Sequence, residues 1–315
     1  MIVRWRLDEL PATLAEVGIE RPFLISSPRW QSLDLPQVAR WLEVPSERVE
    51  VPHEADGILA VGGGSAIDLG KYASAQFGKP VVHVPTTYSG AEWTTFYGIR
   101  SPDRIMRGGG AGAKPVAIVY EVELTLDLPA DVTAGTALNA LTHCAEALYV
   151  RGHTAAGDDE ALQGAPLIAS ALPRVLSDLG NRDARAELLR GAAHAGHALA
   201  LNGLALAHAM AQALGGTYGL PHGAMNALCL PPTLDFNSRF VPVEVVRFGE
   251  AIGGDAVERS RALAQLGGFD RLRDFGVPQD DLPELAEAAS QRAGNQANPR
   301  PATRGEVLEL LTSIW

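Results

Sequence analysis

Residues 57–71, GILAVGGGSAIDLGK, decide the fold of the N-terminal half of this chain. An apolar run from Ile58 to Val61 predicts a buried strand, three glycines follow it, and a helix is predicted to open at Ser65. Residues without a Cβ let the backbone approach a bulky anion, and the helix start directs free N–H groups to the same place. Ser65 and Asp68 fit a capping box. The stretch therefore predicts a phosphate or pyrophosphate site.

A tight strand-to-helix turn without any ligand is the alternative interpretation of the same stretch. The dinucleotide fingerprint G-x-G-x-x-G is not met, because its third glycine would fall on Ile67. Spacing alone leaves both interpretations open.

Composition narrows the class of protein. The chain has 315 residues, a net charge of -11, 46% hydrophobic residues and 20% charged residues, which favours about two globular domains and argues against a nucleic-acid partner. Cys144 and Cys229 lack a CxxC partner and are predicted to be buried thiols in a reducing compartment. The N-terminus lacks a signal-peptide pattern and no apolar run could span a bilayer, so we expect a soluble, cytoplasmic protein without a membrane partner.

The pattern changes character near residue 128. Before it, predicted strands at 22–26, 58–61, 81–84 and 116–120 alternate with predicted helices at 7–17, 35–42 and 66–76, which is typical of a Rossmann-like parallel α/β sheet. After it, helices are predicted at 131–149, 159–179, 184–212, 243–266 and 282–293, with breaks at 215–223 and 230–237. We therefore expect an α/β dinucleotide-binding domain at 1–128 and an all-helical substrate domain at 129–315.

Three histidines and one asparagine form a candidate site in the helical half. Asn139 and His143 are four residues apart on one predicted helix, His208 lies on a second helix, and His222 follows a glycine-rich break. Such a set suits zinc or ferrous iron. Alternatively, each histidine is a satisfied core residue, and the neutral Asn139 argues against a strong metal site.

Several motifs that recur in order carry a family resemblance. VGGGSAIDLGK, PTTYSGAE, LNALTHCAEALY, the spacing from His208 to LPHGAMNA, and NPRPATRGEV together resemble the iron-containing (group III) alcohol dehydrogenase superfamily, and within it the maleylacetate reductase branch. The resemblance implies a dehydroquinate synthase-like fold, NAD(H) or NADP(H) bound in an interdomain cleft, a small-molecule substrate and a homodimer. It assigns cofactor contacts to Gly62, Gly63, Gly64, Ser65, Asp68, Thr86, Thr87 and Ser89. It assigns metal ligands, if iron or zinc is used, to Asn139, His143, His208 and His222.

The chain departs from the family pattern at several positions. Gln212 stands where many members have a second histidine, Ala91 replaces a serine, and Pro232 stands where the metal-using alcohol dehydrogenases often have a histidine. Metal-using members carry aspartate at the position of Asn139, whereas maleylacetate reductases typically carry asparagine and resemble enzymes that work without metal. Residues 51–58 leave no room for a helix that most relatives have.

The resemblance implies hydride transfer to the double bond of maleylacetate or a similar carboxylated enone. The candidates for polarising the acceptor are His208, His222, His143 and Tyr88, with Asn139 as a neutral orienting group, and a histidine is suited to donate the proton. A dianionic substrate needs cations, for which Lys114, Arg107 and Arg104 are candidates, with solvated surface charge as the alternative. A metal-dependent alcohol dehydrogenase or aldehyde reductase and a non-catalytic nucleotide-binding relative are the alternative functions. NAD against NADP stays open, although the turn Ser26 to Arg29 lacks an acidic residue that would reject a 2′-phosphate.

Overall fold

The computed structural model describes residues 1–315 as two compact units, Met1–Asp127 and Leu128–Trp315. The N-terminal unit is an α/β unit and the C-terminal unit is entirely helical. This is the predicted fold class.

A six-stranded sheet forms the centre of the N-terminal unit. Its strands lie in the order β1-β8-β5-β4-β2-β3, and every neighbouring pair is parallel. The strands β6 and β7 form a separate antiparallel pair. The elements of this unit are β1 (Ile2–Arg4), α1 (Leu10–Glu16), β2 (Pro22–Ser26), β3 (Ala39–Trp41), β4 (Gly57–Gly62), α2 (Gly64–Phe77), β5 (Pro80–Pro85), β6 (Tyr97–Arg100), β7 (Met106–Gly110) and β8 (Lys114–Val119).

The central strand β4 is buried on both faces. Leu59 and Val61 belong to one core cluster, whereas Ile58 and Ala60 belong to another that includes Ile67 of α2. A strand of a parallel sheet that is covered on both sides has no polar face, so its sequence is a continuous apolar run. This is why the pattern at 58–61 predicted the strand correctly.

The helix predicted at 35–42 is wrong. Residues 39–41 instead form β3, which pairs in parallel with Phe23 to Ile25 of β2. The side chain of Arg40 donates to the carbonyl oxygens of Gln31 and Leu33, which holds the preceding loop in an irregular path. Tertiary pairing therefore overrides the helical spacing of the apolar residues in this segment.

Ten helices make up the C-terminal unit. They are α3 (Ala130–Ala147), α4 (Ala155–Ser177), α5 (Arg182–Asn202), α6 (Leu206–Tyr218), α7 (His222–Ser238), α8 (Pro242–Ile252), α9 (Ala256–Leu266), α10 (Leu282–Ser290) and α11 (Ala293–Ala297), followed by α12 (Arg304–Ser313) as a tenth helix at the C-terminus. No single helix is long and apolar enough to cross a membrane, although the bent pair α5 and α6 passes that test together.

Two predicted long helices are each divided by a glycine, and one predicted break is absent. Gly203 and Gly253 have positive φ values of 93° and 83°, a conformation that ends α5 and α8 where the sequence predicted continuous helices. In contrast, α7 continues through Pro231 and Pro232, both buried, where a break was predicted. The hydroxyl of Thr233, directly after the two prolines, donates to the carbonyl oxygens of Cys229 and Leu230.

Both cysteines are free and buried, as predicted. Burial raises the pKa of both thiols well above the usual value. A thiol in such surroundings stays protonated and is a poor nucleophile.

Glu92 makes the stability of the N-terminal unit depend on pH. Burial raises the pKa of Glu92 from its ordinary value of 4.5 to about 7, although Tyr120 donates to its Oε1 over 2.8 Å and Lys71 lies nearby. Between these pH values the folded state holds a proton that the unfolded state has released, so this carboxyl destabilises the fold as pH rises from 4.5 to about 7.

We expect Glu92→Gln to remove this pH dependence. Relative to the unmodified chain, its free energy of unfolding should increase by on the order of 2 kcal/mol between pH 5 and pH 8, because the amide cannot ionise. Urea denaturation at the two pH values measures this difference. Glu20→Gln, which changes an exposed carboxylate, is the control and should show no such change. Equal pH dependence in all three proteins would contradict the prediction.

Candidate active site

The glycine turn between β4 and α2 leaves an uncapped helix start. Gly62 has a φ of +150°, and a Cβ there would lie 2.7 Å from the Cβ of Ala66. The N-cap of α2 is Gly63, which has no side chain to accept from the first N–H groups of the helix. Those donors are therefore directed at whatever lies beyond the carboxyl end of β4.

The predicted capping box is wrong. Ser65 lies within the first turn of α2 and does not cap it. Asp68 instead forms an ion pair with the buried Lys71, at 2.8 Å, and accepts from the backbone N–H of Gly98. Asp68 therefore joins α2 to the hairpin of β6 and β7, because its carboxylate contacts Lys71 of α2 and Gly98 of β6.

Two hydroxyl groups near the glycine turn have no hydrogen-bond partner. The loop that follows β5 is tied to the turn by a 3.0 Å bond from Thr86 N–H to the carbonyl of Gly62. Beside it, Thr87 Oγ1 is buried without a partner, and so is Ser26 Oγ at the end of β2. Ser89 lies in the same loop, and its Oγ would be 3.6 Å from a Cβ on Gly64. Buried unpaired donors beside free helix N–H groups suit an anionic ligand such as a pyrophosphate.

The C-terminal unit brings the predicted asparagine and three histidines together. The rings of His143 on α3 and His208 on α6 stack with centroids 4.7 Å apart. His222, the first residue of α7, has its ring centroid 5.8 Å from that of His208. Asn139 lies one helical turn before His143, and its Nδ2 is 3.4 Å from His143 Nε2.

Asn226 is a member of this cluster that the sequence analysis missed. Its Nδ2 donates to Asn139 Oδ1 over 2.7 Å and to His222 Nε2 over 3.0 Å. The amide of Asn226 thus joins two of the four residues that the resemblance assigns to a metal, Asn139 and His222. The four-residue spacing from His222 to Asn226 on one helix was the signal that could have identified it.

Glu146 is the second residue that sequence reasoning missed. Its carboxylate accepts from His208 Nδ1 over 2.6 Å, from Ala205 N–H over 2.8 Å and from His208 N–H over 3.2 Å. It therefore caps α6 and leaves His208 Nε2 as the acceptor nitrogen, which is buried and without a partner. The spacing of residues 139, 143 and 146 along α3 places all three on one helical face.

The surroundings of His143 favour its neutral form. Burial, together with the neighbouring His208 and His222, lowers the pKa of His143 well below its usual value. Since Asn226 donates to His222 Nε2, that nitrogen carries a lone pair. The site therefore presents a neutral imidazole on His143, an acceptor nitrogen on His222 and the neutral amide oxygen of Asn139.

The donor set does not fit a tightly held iron or zinc ion. Asn139 supplies no negative charge, and its oxygen and His222 Nε2 are already hydrogen-bonded to Asn226. Glu146 is the nearest carboxylate in the cluster, but it is used by His208 Nδ1 and two backbone N–H groups. No group of three or more histidine, cysteine, aspartate or glutamate side chains in the chain has a geometry that could hold a metal ion.

We expect Glu146→Gln to destabilise the C-terminal unit and to disturb the tautomer of His208. An amide NH₂ would face a buried donor, so the free energy of unfolding should fall by about 2 kcal/mol. Urea denaturation measures the loss, and ¹⁵N chemical shifts of the imidazole report the tautomer. Glu160→Gln is the matched control, because Glu160 accepts from His194 and His197 near the surface and should lose less than about 1 kcal/mol. Equal losses in both variants would contradict a special role for Glu146.

The other predicted site residues lie in the N-terminal unit. Tyr88 is completely buried in the loop after β5. Arg104 and Arg107 belong to the hairpin of β6 and β7, where Arg107 donates to Ser101 Oγ. Lys114 is the first residue of β8, so it lies at the amino end of the parallel sheet, opposite the glycine turn, and its ammonium donates to the carbonyl of Gly78. This position removes the geometric support for Lys114 as a substrate cation.

The comparisons with known proteins define the class. The protein-family model "Iron-containing alcohol dehydrogenase" matches residues 35–113. The protein-family model "Fe-containing alcohol dehydrogenase family, C-terminal" matches residues 133–315. The chain belongs to this family and is an NAD(P)-dependent oxidoreductase.

Individual relatives show which branch of the family this chain is similar to. Maleylacetate reductase 1 of Rhodococcus opacus is 34% identical over 267 residues, which cover 83% of this chain and 73% of the relative. Maleylacetate reductase of Pseudomonas knackmussii is 32% identical over 331 residues, covering 98% of this chain and 93% of the relative. The crystal structure of maleylacetate reductase from Agrobacterium tumefaciens superposes with a TM-score of 0.88 at 26% identity, covering 100% of this chain and 95% of that one.

Proposed function

We propose that this enzyme reduces maleylacetate, or a similar small carboxylated enone or ketone, with NAD(P)H and without a metal ion. The observation that carries the proposal is the hydrogen bonding within the histidine cluster of the C-terminal unit. Asn226 joins Asn139 to His222 there, and His208 Nε2 has no hydrogen-bond partner. The similarity to several proteins named maleylacetate reductase supports the same substrate.

The N-terminal unit binds the dinucleotide in this proposal. Gly62, Gly63 and Gly64 with the N–H groups of α2 hold the pyrophosphate, and Thr87 supplies a hydroxyl that is buried and unpaired. Ser65, Thr86 and Ser89 complete the lining. The reduced nicotinamide, when bound, supplies the hydride.

The histidine cluster handles the substrate and its proton. His208 is oriented by Glu146 through Nδ1, so its Nε2 takes up a proton from solvent, passes it to the substrate carbon once hydride has been transferred, and returns to the acceptor form. Asn139, His143 and His222 hold and polarise the oxygen atoms of the acceptor by hydrogen bonds. Ordered polar groups in buried surroundings are effective here because they need no reorganisation during the reaction.

An iron- or zinc-dependent alcohol dehydrogenase is the second candidate function. The observation in its favour is the stacked pair of buried imidazoles, His143 and His208, with His222 nearby. The solved iron-containing alcohol dehydrogenase from Corynebacterium glutamicum also shares the fold, at 27% identity and a TM-score of 0.87. A third hypothesis is that the chain binds a nucleotide but catalyses no reaction, and the same assay tests it.

We expect rapid oxidation of NADH or NADPH with maleylacetate, unchanged by a strong chelator. The neutral, hydrogen-bonded donor set gives the physical reason, since removal of metal cannot weaken a site built from hydrogen bonds. Absorbance at the nicotinamide band with and without chelator measures it, after metal analysis of the purified protein.

Other outcomes of this assay separate the alternatives. Turnover that stops with chelator and returns with Fe²⁺ or Zn²⁺ would contradict the metal-free proposal. Turnover of simple aldehydes without maleylacetate turnover would assign the chain to the alcohol dehydrogenases. Nucleotide binding without turnover of maleylacetate or of aldehydes would favour the hypothesis of a non-catalytic nucleotide-binding protein.

A further inference from the structure

The order of the strands singles out one position along the sheet edge. From β2 the chain continues to β3 on one side, whereas β4, β5 and β8 follow one another on the other side. The direction in which successive strands are added to the sheet therefore reverses between β2 and β4, although the strands themselves are parallel. In open α/β sheets, ligands bind outside the carboxyl ends of the strands at such a reversal. Here those ends are Ser26 and Gly62, and Ser26 pairs with Val61 in register.

The end of β2 is therefore adjacent to the glycine turn. Ser26 is fully buried, and its Oγ has no hydrogen-bond partner. A buried hydroxyl without a partner is uncommon and points to a polar ligand at this position. If the pyrophosphate lies on the glycine turn, the adjacent sugar of the dinucleotide lies next to the end of β2.

The segment that follows Ser26 carries a cation and no carboxylate. Its residues are Ser27, Pro28, Arg29 and Trp30. An acidic side chain at this position accepts from the ribose 2′-hydroxyl of NAD and repels the 2′-phosphate of NADP, whereas an arginine accommodates that phosphate. The guanidinium of Arg29 lies 4.9 Å above the centre of the Trp30 ring, which restricts the side chain before any ligand binds.

We propose that Arg29 binds the adenosine 2′-phosphate and that this enzyme takes NADPH in preference to NADH. The inference rests on the proposed function only in that a dinucleotide binds at the glycine turn. A 2′-phosphate carries up to about two negative charges at neutral pH, and a guanidinium binds phosphate oxygens through two parallel hydrogen bonds. Ser27, half-exposed beside it, offers a further hydroxyl donor.

Glu43 is the carboxylate that could favour NADH instead. It follows β3, whose Trp41 pairs with Ile25 of β2, so it lies one strand farther from the glycine turn. Neighbouring strands are separated by about 4.8 Å, which places Glu43 beyond the sugar position expected at the end of β2. Glu43 is also exposed, and only its backbone carbonyl has a described bond, from Trp41 Nε1.

A matched pair of nucleotides tests the proposal without turnover. Adenosine 2′,5′-bisphosphate and 5′-AMP differ only in the 2′-phosphate, and calorimetry gives their dissociation constants for the unmodified chain and for Arg29→Ala. We expect the bisphosphate to bind at least about tenfold more tightly than 5′-AMP, and Arg29→Ala to remove that difference while leaving 5′-AMP binding unchanged. Arg21→Ala is the control, because Arg21 is an exposed arginine at the amino end of the same strand. The Arg21→Ala variant should still bind the bisphosphate more tightly than 5′-AMP.

Three results would overturn the proposal. They are equal binding of the two nucleotides by the unmodified chain, an equal loss for both nucleotides in Arg29→Ala, and a preference for the bisphosphate that persists in Arg29→Ala. Kinetics with NADH and NADPH then separate this inference from the proposed function. Maleylacetate turnover that prefers NADH contradicts the role of Arg29 alone, whereas a preference for the bisphosphate without maleylacetate turnover contradicts the proposed substrate alone.

Discussion

Gly63→Ala is expected to weaken the binding of NADH and NADPH about 100-fold while the chain still folds, a loss of about 3 kcal/mol. Gly63 has a φ of -77°, which any residue can adopt, so the backbone is not strained by the change. The added Cβ would lie 2.9 Å from Thr87 Cγ2, closer than real contacts allow. Thr87 must therefore move, and its unpaired Oγ1 leaves the position in which it can meet the pyrophosphate.

Gly64→Ala is the matched control for this variant. Its Cβ would lie 3.6 Å from Ser89 Oγ, an ordinary contact, and residue 64 begins α2. We expect its dissociation constants to stay within about threefold of the unmodified values, because no neighbour has to shift. Fluorescence titration with both nucleotides measures each variant, and urea denaturation confirms the fold. Equal weakening in both variants, or in neither, would contradict the role of Thr87.

The glycine turn could be predicted from sequence because its physics is local. A strand that is buried on both faces must be apolar throughout, and a helix that begins directly after it must start at the glycines. The three-residue strand β3 could not be predicted in this way. Its formation depends on backbone pairing with β2, which the spacing of Leu35, Val38 and Leu42 does not encode. The sequence pattern of this segment resembles a helix because three apolar residues recur at helical intervals.

The candidate site was only partly predictable for a similar reason. Asn139 and His143 were found from spacing on one helix, whereas the roles of Glu146 and Asn226 depend on how α3, α6 and α7 pack together. The position of Lys114 in the sheet, in contrast, could be predicted from the sequence. The strand predicted at 116–120 already placed Lys114 before its first residue, at the amino end, where open parallel sheets do not bind their ligands.

Asn139→Asp is expected to convert the histidine cluster into a metal site. Asn139 is buried, and its oxygen accepts from Asn226, so an aspartate there adds a negative charge beside three imidazoles. A buried carboxylate without a cation is costly, which gives a divalent ion a strong reason to bind. We expect the variant to retain roughly one Zn²⁺ per chain after gel filtration, with affinity raised at least about 100-fold over the unmodified chain.

Metal analysis and thermal unfolding with and without Zn²⁺ measure this change independently of activity. Asn237→Asp is the matched control, because Asn237 is equally buried on α7 but bonds to Asn298 and to no histidine in the described contacts. It should be destabilised without gaining metal. Adding His222→Ala to Asn139→Asp should remove the bound zinc, because three donors remain and none of them replaces the lost nitrogen. If Asn139→Asp retains no more zinc than the unmodified chain, the neutral amide is not what keeps metal out, and Asn226, which still donates to His222, becomes the residue to replace next.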